Sequence, residues 1–518
     1  MNDRADSEVA PATRLMLTVC VMMATIMQAL DTTIANVALP YMQGALSTTQ
    51  DQVNWVLTSY IVAAAIMTSP IGWMSARFGL KKLFIVCAAG FTVASMLCGA
   101  AQSIDQMVLF RLLQGVFGAA LVPLSQTVML NIYPPAQRGS AMAVWGMGVM
   151  LGPIMGPTLG GWLTDNYSWR WVFFVNLPFG VLTVLGLSAF MSESKVRRDV
   201  PFAWFGFLTL SLGIGALQMM LDRGEDQGWF GSAEIVAEGI LACVGFYFFL
   251  ADSFTAKRPF IPLGVFRDWN FSIALIFMFL IGVILLATMA LVTPYLQNLM
   301  GYPVLASGFL LGSRGVGTFF SMMFVGRLLA KIDARVLIFF GLLLSTLSLW
   351  FMVYWSPESS ARAIAVVSVA QGVGLGLVFV PLNTVAFATL SIQFRTNATA
   401  MWTLIRNLGS SIGISIVIAR LTTMVTSFHS QLAEQITPFN DALHAPTVAN
   451  ILSTTTDAGR AMLDALITQQ AAIMAYSNDF LLMTFVSLAA FPLLFLLRSA
   501  KAQAARPAPR DGHAAVMD

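Results

Sequence analysis

The chain has 518 residues, of which 57% are hydrophobic and only 10% are charged, and its formal net charge is +3. Its mean hydropathy is +0.77. This composition excludes a soluble globular protein and predicts a helical protein that crosses a membrane many times. The four cysteines all lie within apolar runs and show no metal-ligand spacing. We therefore expect free thiols that pack as small apolar side chains.

Fourteen apolar runs of about 20 residues, the length that spans a bilayer, follow one another along the chain. They lie near 15–38, 53–75, 82–101, 106–131, 139–163, 170–191, 202–221, 234–254, 270–296, 304–329, 335–355, 361–390, 399–423 and 477–498. With the N-terminus placed inside, the inner segments hold 20 of the 28 Lys and Arg residues, the outer segments 5 and the spans 3. This bias predicts that both termini are cytoplasmic.

The second part of the chain repeats features of the first. A glycine is followed by basic residues five and nine positions later in two places: Gly72, Arg77 and Lys81, and Gly326, Lys331 and Arg335. The segment QGVFGAALVP from Gln114 also resembles QGVGLGLVFVP from Gln371. Because the matched segments are eight spans apart and keep the same orientation, we predict two six-helix halves related by a parallel repeat.

The fold class predicted is therefore an all-α integral membrane protein with a two-helix insert between its halves. The predicted units are an N-terminal tail at 1–14, a first half at 15–191, an insert at 202–254, a second half at 270–498 and a C-terminal tail at 499–518. Within the second half, residues 424–476 form a long external segment whose apolar residues recur at helical spacing. This pattern predicts an amphipathic helical hairpin, which could cap the bundle or dock a partner.

One carboxylate lies deep inside the first span. Gln28, Asp31, Thr32 and Asn36 recur at helical spacing and form a polar stripe on an otherwise apolar helix. A charged side chain in the hydrocarbon core is costly and usually faces a polar interior. We interpret Asp31 as functional, although such a stripe could also only hold helices together through hydrogen bonds.

Arg111 in the fourth span is predicted to lie at a depth similar to that of Asp31. Arg111, Gln114 and Gly118 share one helix face. An Asp31–Arg111 ion pair would offset the cost of burying each charge. If the two helices moved apart, the carboxylate would be freed from Arg111. Such a group can bind and lose a proton as the helices move, whereas a static buried ion pair is the alternative interpretation.

The fifth span carries glycines at four-residue intervals, Gly148, Gly152, Gly156 and Gly160, together with Pro153 and Pro157. The glycines predict a close helix contact, and the prolines predict a bend or hinge. Several polar side chains inside other spans are candidates for lining a substrate cavity: Gln28, Gln114, Gln126, Arg314, Gln371, Asn383 and Arg406. The chain contains no metal-ligand cluster, no nucleotide-binding glycine loop before a lysine and no Ser/His/Asp set.

These motifs resemble those of the major facilitator superfamily, specifically the drug–proton antiporters with fourteen spans (DHA2) and, among them, the EmrB type of Gram-negative bacteria. The similar segments are LDTTIANVALP (30–40), GWMSARFGLKK (72–82), FRLLQGVFGAA (110–120), GPTLGG (156–161), WRWVFFVNLP (169–178) and the RNLGSSIG run from Arg406. The resemblance extends from about Leu15 to Arg498. One departure is Ala76, which stands where the loop motif usually has an acidic residue and weakens the expected charge lock.

The resemblance implies that Asp31 and Arg111 couple transport to protons and that no cofactor other than the proton gradient is needed. It assigns a conformational switch to the loop and fifth-helix motifs, here Gly72, Arg77, Lys81, Gly152, Pro153, Gly156, Pro157, Gly160 and Gly161. It further implies a bacterial inner-membrane location, small hydrophobic or amphipathic substrates, a periplasmic EmrA-type membrane-fusion adaptor and an outer-membrane channel. We expect no nucleic-acid partner.

The predicted function is proton-coupled efflux of hydrophobic or amphipathic compounds by alternating access. A dedicated exporter of one metabolite, fatty acid or siderophore fits the sequence almost equally well. A membrane-embedded lipid-modifying enzyme and a non-transporting sensor are alternatives from other classes. The sequence offers no catalytic constellation for the former and no signalling domain for the latter.

Overall fold

The computed structural model describes residues 10–193, 196, 201–256, 259–391, 394–436, 452 and 456–498. The regular elements of these residues are helical. Most of the two predicted tails lies outside the described residues, as do Lys195, Arg197 and Arg198 of the predicted basic loop. Much of the predicted external segment, namely 437–451 and 453–455, is also outside them.

The first half is built from nine helices. They are α1 (Pro11–Ala45), α2 (Gln50–Thr68), α3 (Ile71–Phe78), α4 (Leu80–Ala100), α5 (Ile104–Gly118), α6 (Leu121–Ile132), α7 (Arg138–Asn166), α8 (Trp171–Phe174) and α9 (Asn176–Phe190). At the start of several helices, side-chain caps accept hydrogen bonds from backbone N–H groups that have no partner within the helix. At the start of α2, Thr49 and Gln52 form a capping box. The second predicted span is broken, because α2 and α3 meet at 59°.

Among the described residues, the insert and the second half contribute nine more α-helices. They are α10 (Trp204–Arg223), α11 (Ala233–Thr255), α12 (Trp269–Pro294), α13 (Val304–Leu328), α14 (Ala334–Met352), α15 (Ala361–Ala388), α16 (Arg395–Ala433), α17 (Asp457–Leu488) and α18 (Phe491–Leu496). Among the described residues, 13 helices are long and apolar enough to cross a membrane, or up to 14 if the bent α2–α3 pair is one span. The fourteen predicted runs therefore correspond to helices of the bundle.

Helices α1 and α7 pack closely because the glycines of α7 leave room for α1. A Cβ atom added to Gly152 would lie 2.3 Å from the backbone carbonyl of Ala29, and one added to Gly156 would lie 2.1 Å from Thr33 Oγ1. Thr33 Oγ1 also donates a hydrogen bond of 3.0 Å to the Gly152 carbonyl. The structure thus identifies α1 as the partner of the predicted glycine stripe.

The two halves contact each other near one face of the bundle, here called the basic face and marked by Arg14, Arg138, Arg395 and Arg498. Arg395 Nη1 donates to Asn131 Oδ1 at 2.9 Å, and the hydroxyls of Thr127 and Thr399 lie 2.8 Å apart. The repeated glycines take part in this contact, because Gly72 packs against Asn397 and Gly326 packs against Ser140. Each repeat motif therefore touches the opposite half.

The insert covers one seam between the halves. Leu210 and Ile214 of α10 pack with Ala65 of α2 and Leu404 of α16 in one apolar cluster. Toward the face opposite the basic face, here called the far face, Ser415 Oγ of α16 donates to the Leu221 carbonyl at 2.7 Å. Helix α10 therefore contacts both halves, while α11 exposes large apolar side chains outward, such as the 77% exposed Phe254.

Two helices are longer than a bilayer requires. Helix α16 has 39 residues, which corresponds to about 58 Å at a rise of ~1.5 Å per residue, against a hydrocarbon core of about 30 Å. Residues 424–433 of the predicted external segment continue α16, and residues 457–476 form the first part of α17. His429 Nε2 lies 2.9 Å from Asp464 Oδ1 and links the two extensions.

Candidate functional site

The site centres on an ion pair between Asp31 of α1 and Arg111 of α5. Arg111 Nη1 lies 2.8 Å from Asp31 Oδ2, and the side chains of the two residues are 1% and 0% exposed, respectively. Both residues lie in helices that can cross a membrane. The structure thus brings together the two residues that the sequence predicts as a pair.

The carboxylate of Asp31 receives two further hydrogen bonds. Gln114 Nε2 donates to Asp31 Oδ1 at 2.7 Å, and Asn176 Nδ2 of α9 donates to the same oxygen at 3.2 Å. Asn176 is itself held by Ser95 of α4, whose hydroxyl accepts from Nδ2 at 2.9 Å. With the bond from Arg111, both oxygens of the buried carboxylate therefore have hydrogen-bond donors. Gln114, predicted as a cavity residue, belongs to this network.

The guanidinium of Arg111 is enclosed by backbone and aromatic groups as well as by Asp31. Its Nε donates to the Val56 carbonyl of α2 at 2.9 Å, and its Nη1 donates to Gln114 Oε1 at 2.8 Å. Its Cζ lies 4.4 Å from the centre of the Tyr60 ring, which is within cation–π range. The pair and its partners therefore connect α1, α2, α5 and α9, and protonation of Asp31 would weaken the contacts of α1 with α5 and α9.

The predicted polar stripe on α1 is not uniformly buried. Gln28 is partly buried and donates through Nε2 to Tyr60 Oη at 3.2 Å, which joins it to the surroundings of Arg111. Asn36 is exposed and hydrogen-bonds only within its own helix, to the Thr32 carbonyl at 3.4 Å. Along the predicted polar stripe, Asn36 is therefore exposed whereas Asp31 is fully buried.

Gln126 and Asn383 join the halves. Gln126 Nε2 donates to Asn383 Oδ1 at 2.6 Å, and both residues are buried. The bond lies close to the Thr127–Thr399 contact near the basic face. The structure thus places these two predicted cavity residues in the contact that joins the halves near the basic face. The sequence did not indicate this role.

The remaining predicted cavity residues lie in the second half. Arg314 of α13 is 8% exposed, and its Nη1 donates only a long hydrogen bond of 3.4 Å to the Leu285 carbonyl. Arg406 of α16 is partly buried and donates to Asn407 Oδ1 at 3.3 Å. Gln371 is 1% exposed, and neither amide atom has a hydrogen-bond partner within the described residues.

The predicted switch residues fall into two groups. Gly152, Gly156 and Gly160 of α7 contact α1, whereas a Cβ added to Gly161 would meet only Val37, at 4.0 Å. Pro153 and Pro157 lie within α7, but their side chains are outside the described part of the structure. On the loop motif, Gly72 packs against Asn397, Arg77 lies in the last turn of α3 and Lys81 Nζ donates to the Ser188 carbonyl at 2.9 Å.

Sequence reasoning missed two polar features of the spans. Asn176 and Ser95 support Asp31, and an amide inside the sixth apolar run was the signal that could have identified Asn176. A second buried carboxylate, Asp479 of α17, is 0% exposed and lies 3.2 Å from Arg420 Nε of α16. Asp479 is only the third residue of the predicted span 477–498, so its depth did not mark it, and its burial is apparent only from the packing of α16 against α17.

The protein has two six-helix halves that contact each other and a buried ion pair among the helices of the first half. This arrangement is typical of a polytopic membrane transporter rather than an enzyme. The chain belongs to the major facilitator superfamily, because the model of that family matches residues 21–414. This membership confirms the predicted fold class and argues against the membrane-enzyme alternative.

Several curated proteins are similar over most of the chain. The fatty acid resistance protein FarB of Neisseria gonorrhoeae is 34% identical over 483 residues, which cover 92% of this chain and 94% of FarB. The multidrug export protein EmrB of Escherichia coli K12 is 35% identical over 428 residues, which cover 82% and 84%. The solved human organic anion transporter MFSD10 (TETRAN) shares the fold, with a TM-score of 0.56 at 12% identity, over 92% of this chain and 99% of that one.

Proposed function

We propose that this protein is a proton-coupled exporter of hydrophobic or amphipathic compounds that works by alternating access across the bacterial inner membrane. Family membership and the relatives named as export proteins support this function. The single observation that carries the coupling is the fully buried Asp31–Arg111 pair. A buried carboxylate inside a membrane span is energetically costly, and such residues usually serve a function, for example in proton relays.

Proton coupling follows from what protonation does to the pair. The ionised carboxylate accepts from Arg111, Gln114 and Asn176. When a proton binds Asp31, the charge–charge attraction disappears and α1 is freer to move relative to α5 and α9. Because α1 also packs on the glycine face of α7, a movement of α1 is transmitted to a helix at the seam between the halves.

The orientation follows from the charge bias. The basic face carries the first residues of α1 and the end of α18, so placing it in the cytoplasm puts both termini there. The contacts of Gln126, Thr127 and Arg395 then close the cytoplasmic side. Asp31 is fully buried in this conformation, so proton uptake from the periplasmic side requires the helices around it to move.

The extended parts of α16 and α17 lie on the far face, which this orientation puts in the periplasm. We propose that they contact a periplasmic EmrA-type adaptor, which leads to an outer-membrane channel. A photo-crosslinking residue at Met462, which is 50% exposed on α17, should capture the adaptor. The same residue at Phe254, at the basic end of α11, should not, and equal capture at both positions would refute the assignment.

Dedicated export of one compound, such as a metabolite, fatty acid or siderophore, is the second candidate function. It is favoured by FarB, a relative that is named for fatty acid resistance and covers more of the chain than the EmrB of Escherichia coli. Both candidates share the same fold and the same Asp31–Arg111 site, so they differ only in the range of substrates.

Uptake into everted membrane vesicles distinguishes these functions. Fluorescent amphiphiles of several structures are added with and without a proton gradient, and the Asp31→Asn variant serves as the matched control. Gradient-dependent accumulation of several unrelated dyes supports a multidrug pump, and accumulation of one compound class alone supports dedicated export. Equal accumulation without a gradient by the folded protein would refute proton coupling.

A further inference from the structure

The second half contains a buried cation without an acidic partner. Arg314 is 8% exposed, and its hydrogen bond to the Leu285 carbonyl is long, at 3.4 Å. Neither Arg314 nor Arg406 takes part in an ion pair within the described residues. A buried charge without a partner is strongly destabilising, in contrast to the paired Arg111. A guanidinium in this position therefore favours a compensating anion that the described residues do not supply.

Arg314 lines a cavity at the seam between the two halves. The cavity is bounded by Met150 and Ile154 of α7, by Met289 and its neighbours on α12, and by Arg314 and Thr318 of α13. Its volume is about 30 Å³ in this closed conformation. The walls are apolar except for Arg314 and Thr318, and methionine side chains can repack around ligands of different shape.

The surroundings of this cavity differ from those of the opposite seam. The seam between α2 and α16 is covered by α10 of the insert. At the seam between α7 and α13, large apolar side chains stand exposed on the surface of the bundle, among them Met155, Phe309 and Phe320 at 44%, 63% and 51%. A molecule dissolved in the bilayer therefore meets an apolar surface beside a buried cation.

We propose that Arg314 binds the anionic head group of an amphiphile, such as a carboxylate, while the apolar tail lies along the Met150–Met289 wall. This inference rests on the proposed export function and names its substrate class. A guanidinium can donate two parallel hydrogen bonds to a carboxylate, which fixes the orientation of the head group. A cationic head group would instead be repelled by the positive charge of Arg314.

The test is equilibrium binding of tritiated laurate to the purified full-length protein in detergent, without any proton gradient. Unlabelled laurate, dodecyltrimethylammonium and dodecanol compete in turn, so the head group changes while the tail length stays constant. We expect laurate to compete at least about tenfold better than the cation or the alcohol, because laurate alone supplies a negative charge that can pair with Arg314. Equal competition by all three would overturn the proposal.

The matched variants are Arg314→Gln, Arg314→Lys and the control Arg362→Gln at the exposed start of α15. Arg314→Gln should lose laurate binding about tenfold or more, Arg314→Lys should retain part of it, and Arg362→Gln should bind as the wild type does. Without ligand, Arg314→Gln should melt at the same temperature as the wild type or higher, because it removes a buried unpaired charge. Unchanged laurate binding by a folded Arg314→Gln protein would overturn the proposal.

Binding and transport can fail separately. The Asp31→Asn variant should still bind laurate in a way that depends on Arg314, but should fail in gradient-driven transport. If laurate binds through Arg314 but no gradient drives its export, the anion site stands and the proposed transport function is wrong. If dyes are exported but laurate binding does not depend on Arg314, the export function stands and the anion site is wrong.

Discussion

Asp31 is held by donors from two other helices, and this arrangement makes the residue sensitive to their movement. Arg111 and Gln114 approach from α5, and Asn176 approaches from α9. Losing any of the three would leave an oxygen of this buried carboxylate less well hydrogen-bonded. Movement of α5 or α9 away from α1 therefore removes hydrogen bonds from Asp31.

The depth of Asp31 and Arg111 could be predicted from the sequence, because helical rise and span length fix how far into the membrane a residue lies. The roles of Gln126 and Asn383 could not. Their bond joins residues 257 positions apart in different halves, and only the packing of the halves brings them together. A polar residue inside a span indicates a polar environment but does not say whether that environment is a cavity or a closure.

Replacing Asp31 with Asn tests the coupling at the level of one residue. The amide is nearly the same size but cannot carry the charge or exchange a proton. Arg111 keeps its bonds to Val56 and Gln114 and its contact with Tyr60, so we expect the variant to fold. Gradient-driven export should fall to the rate measured without a gradient, and normal pumping in vesicles would show that Asp31 is not the coupling residue.

At the scale of elements, the glycine face of α7 sets how closely α1 can approach. The close approach was predictable from four glycines at regular spacing, since a helix without side chains on one face allows close packing. The partner was not predictable, because any neighbouring helix could use such a face. The contacts of Gly148 with Met22 and of Gly160 with Ile34 identify it as α1.

Gly152→Ala and Gly161→Ala form a matched pair that tests this contact. A methyl group at Gly152 would lie 2.3 Å from the Ala29 carbonyl, whereas one at Gly161 would meet only Val37 at 4.0 Å. We expect Gly152→Ala to destabilise the protein by about 1–3 kcal/mol through overpacking and to slow transport. Gly161→Ala should be neutral or stabilising by up to about 1 kcal/mol, because alanine favours a helix. Melting temperature and transport rate provide the measurement, and equal effects of the two changes would argue against the α1–α7 contact.

At the scale of the whole molecule, the two halves meet through reciprocal contacts. Gly72 of the first half packs on Asn397 of the second, and Gly326 of the second packs on Ser140 of the first. The repeat in the sequence predicted equivalent positions for these glycines, and in the structure each of them packs against the opposite half. A closure built from two related contacts near one face can open when one half rotates against the other.

A disulfide between Thr127→Cys and Thr399→Cys should trap this closure. The hydroxyls of the two threonines lie 2.8 Å apart across the halves, so the replacing sulfurs should come within bonding range. Oxidation should stop transport and reduction should restore it, measured in a background in which the exposed Cys243 is serine. The single variants control for oxidation elsewhere, and full activity of the cross-linked protein would mean that the halves do not separate here.

The cations of the second half also have an electrical consequence. Asp31 and Arg111 together are neutral, whereas Arg314 and Arg406 place positive charge in the interior of the other half without an acidic partner among the described residues. Moving one charge across a potential of 100 mV changes its energy by about 2.3 kcal/mol. If the proposed alternating access moves these arginines through part of the membrane field, we expect reorientation of the empty carrier to depend on voltage, and an anionic cargo that neutralises Arg314 to reduce that dependence. Voltage would then act together with the proposed proton gradient in setting the direction of the cycle.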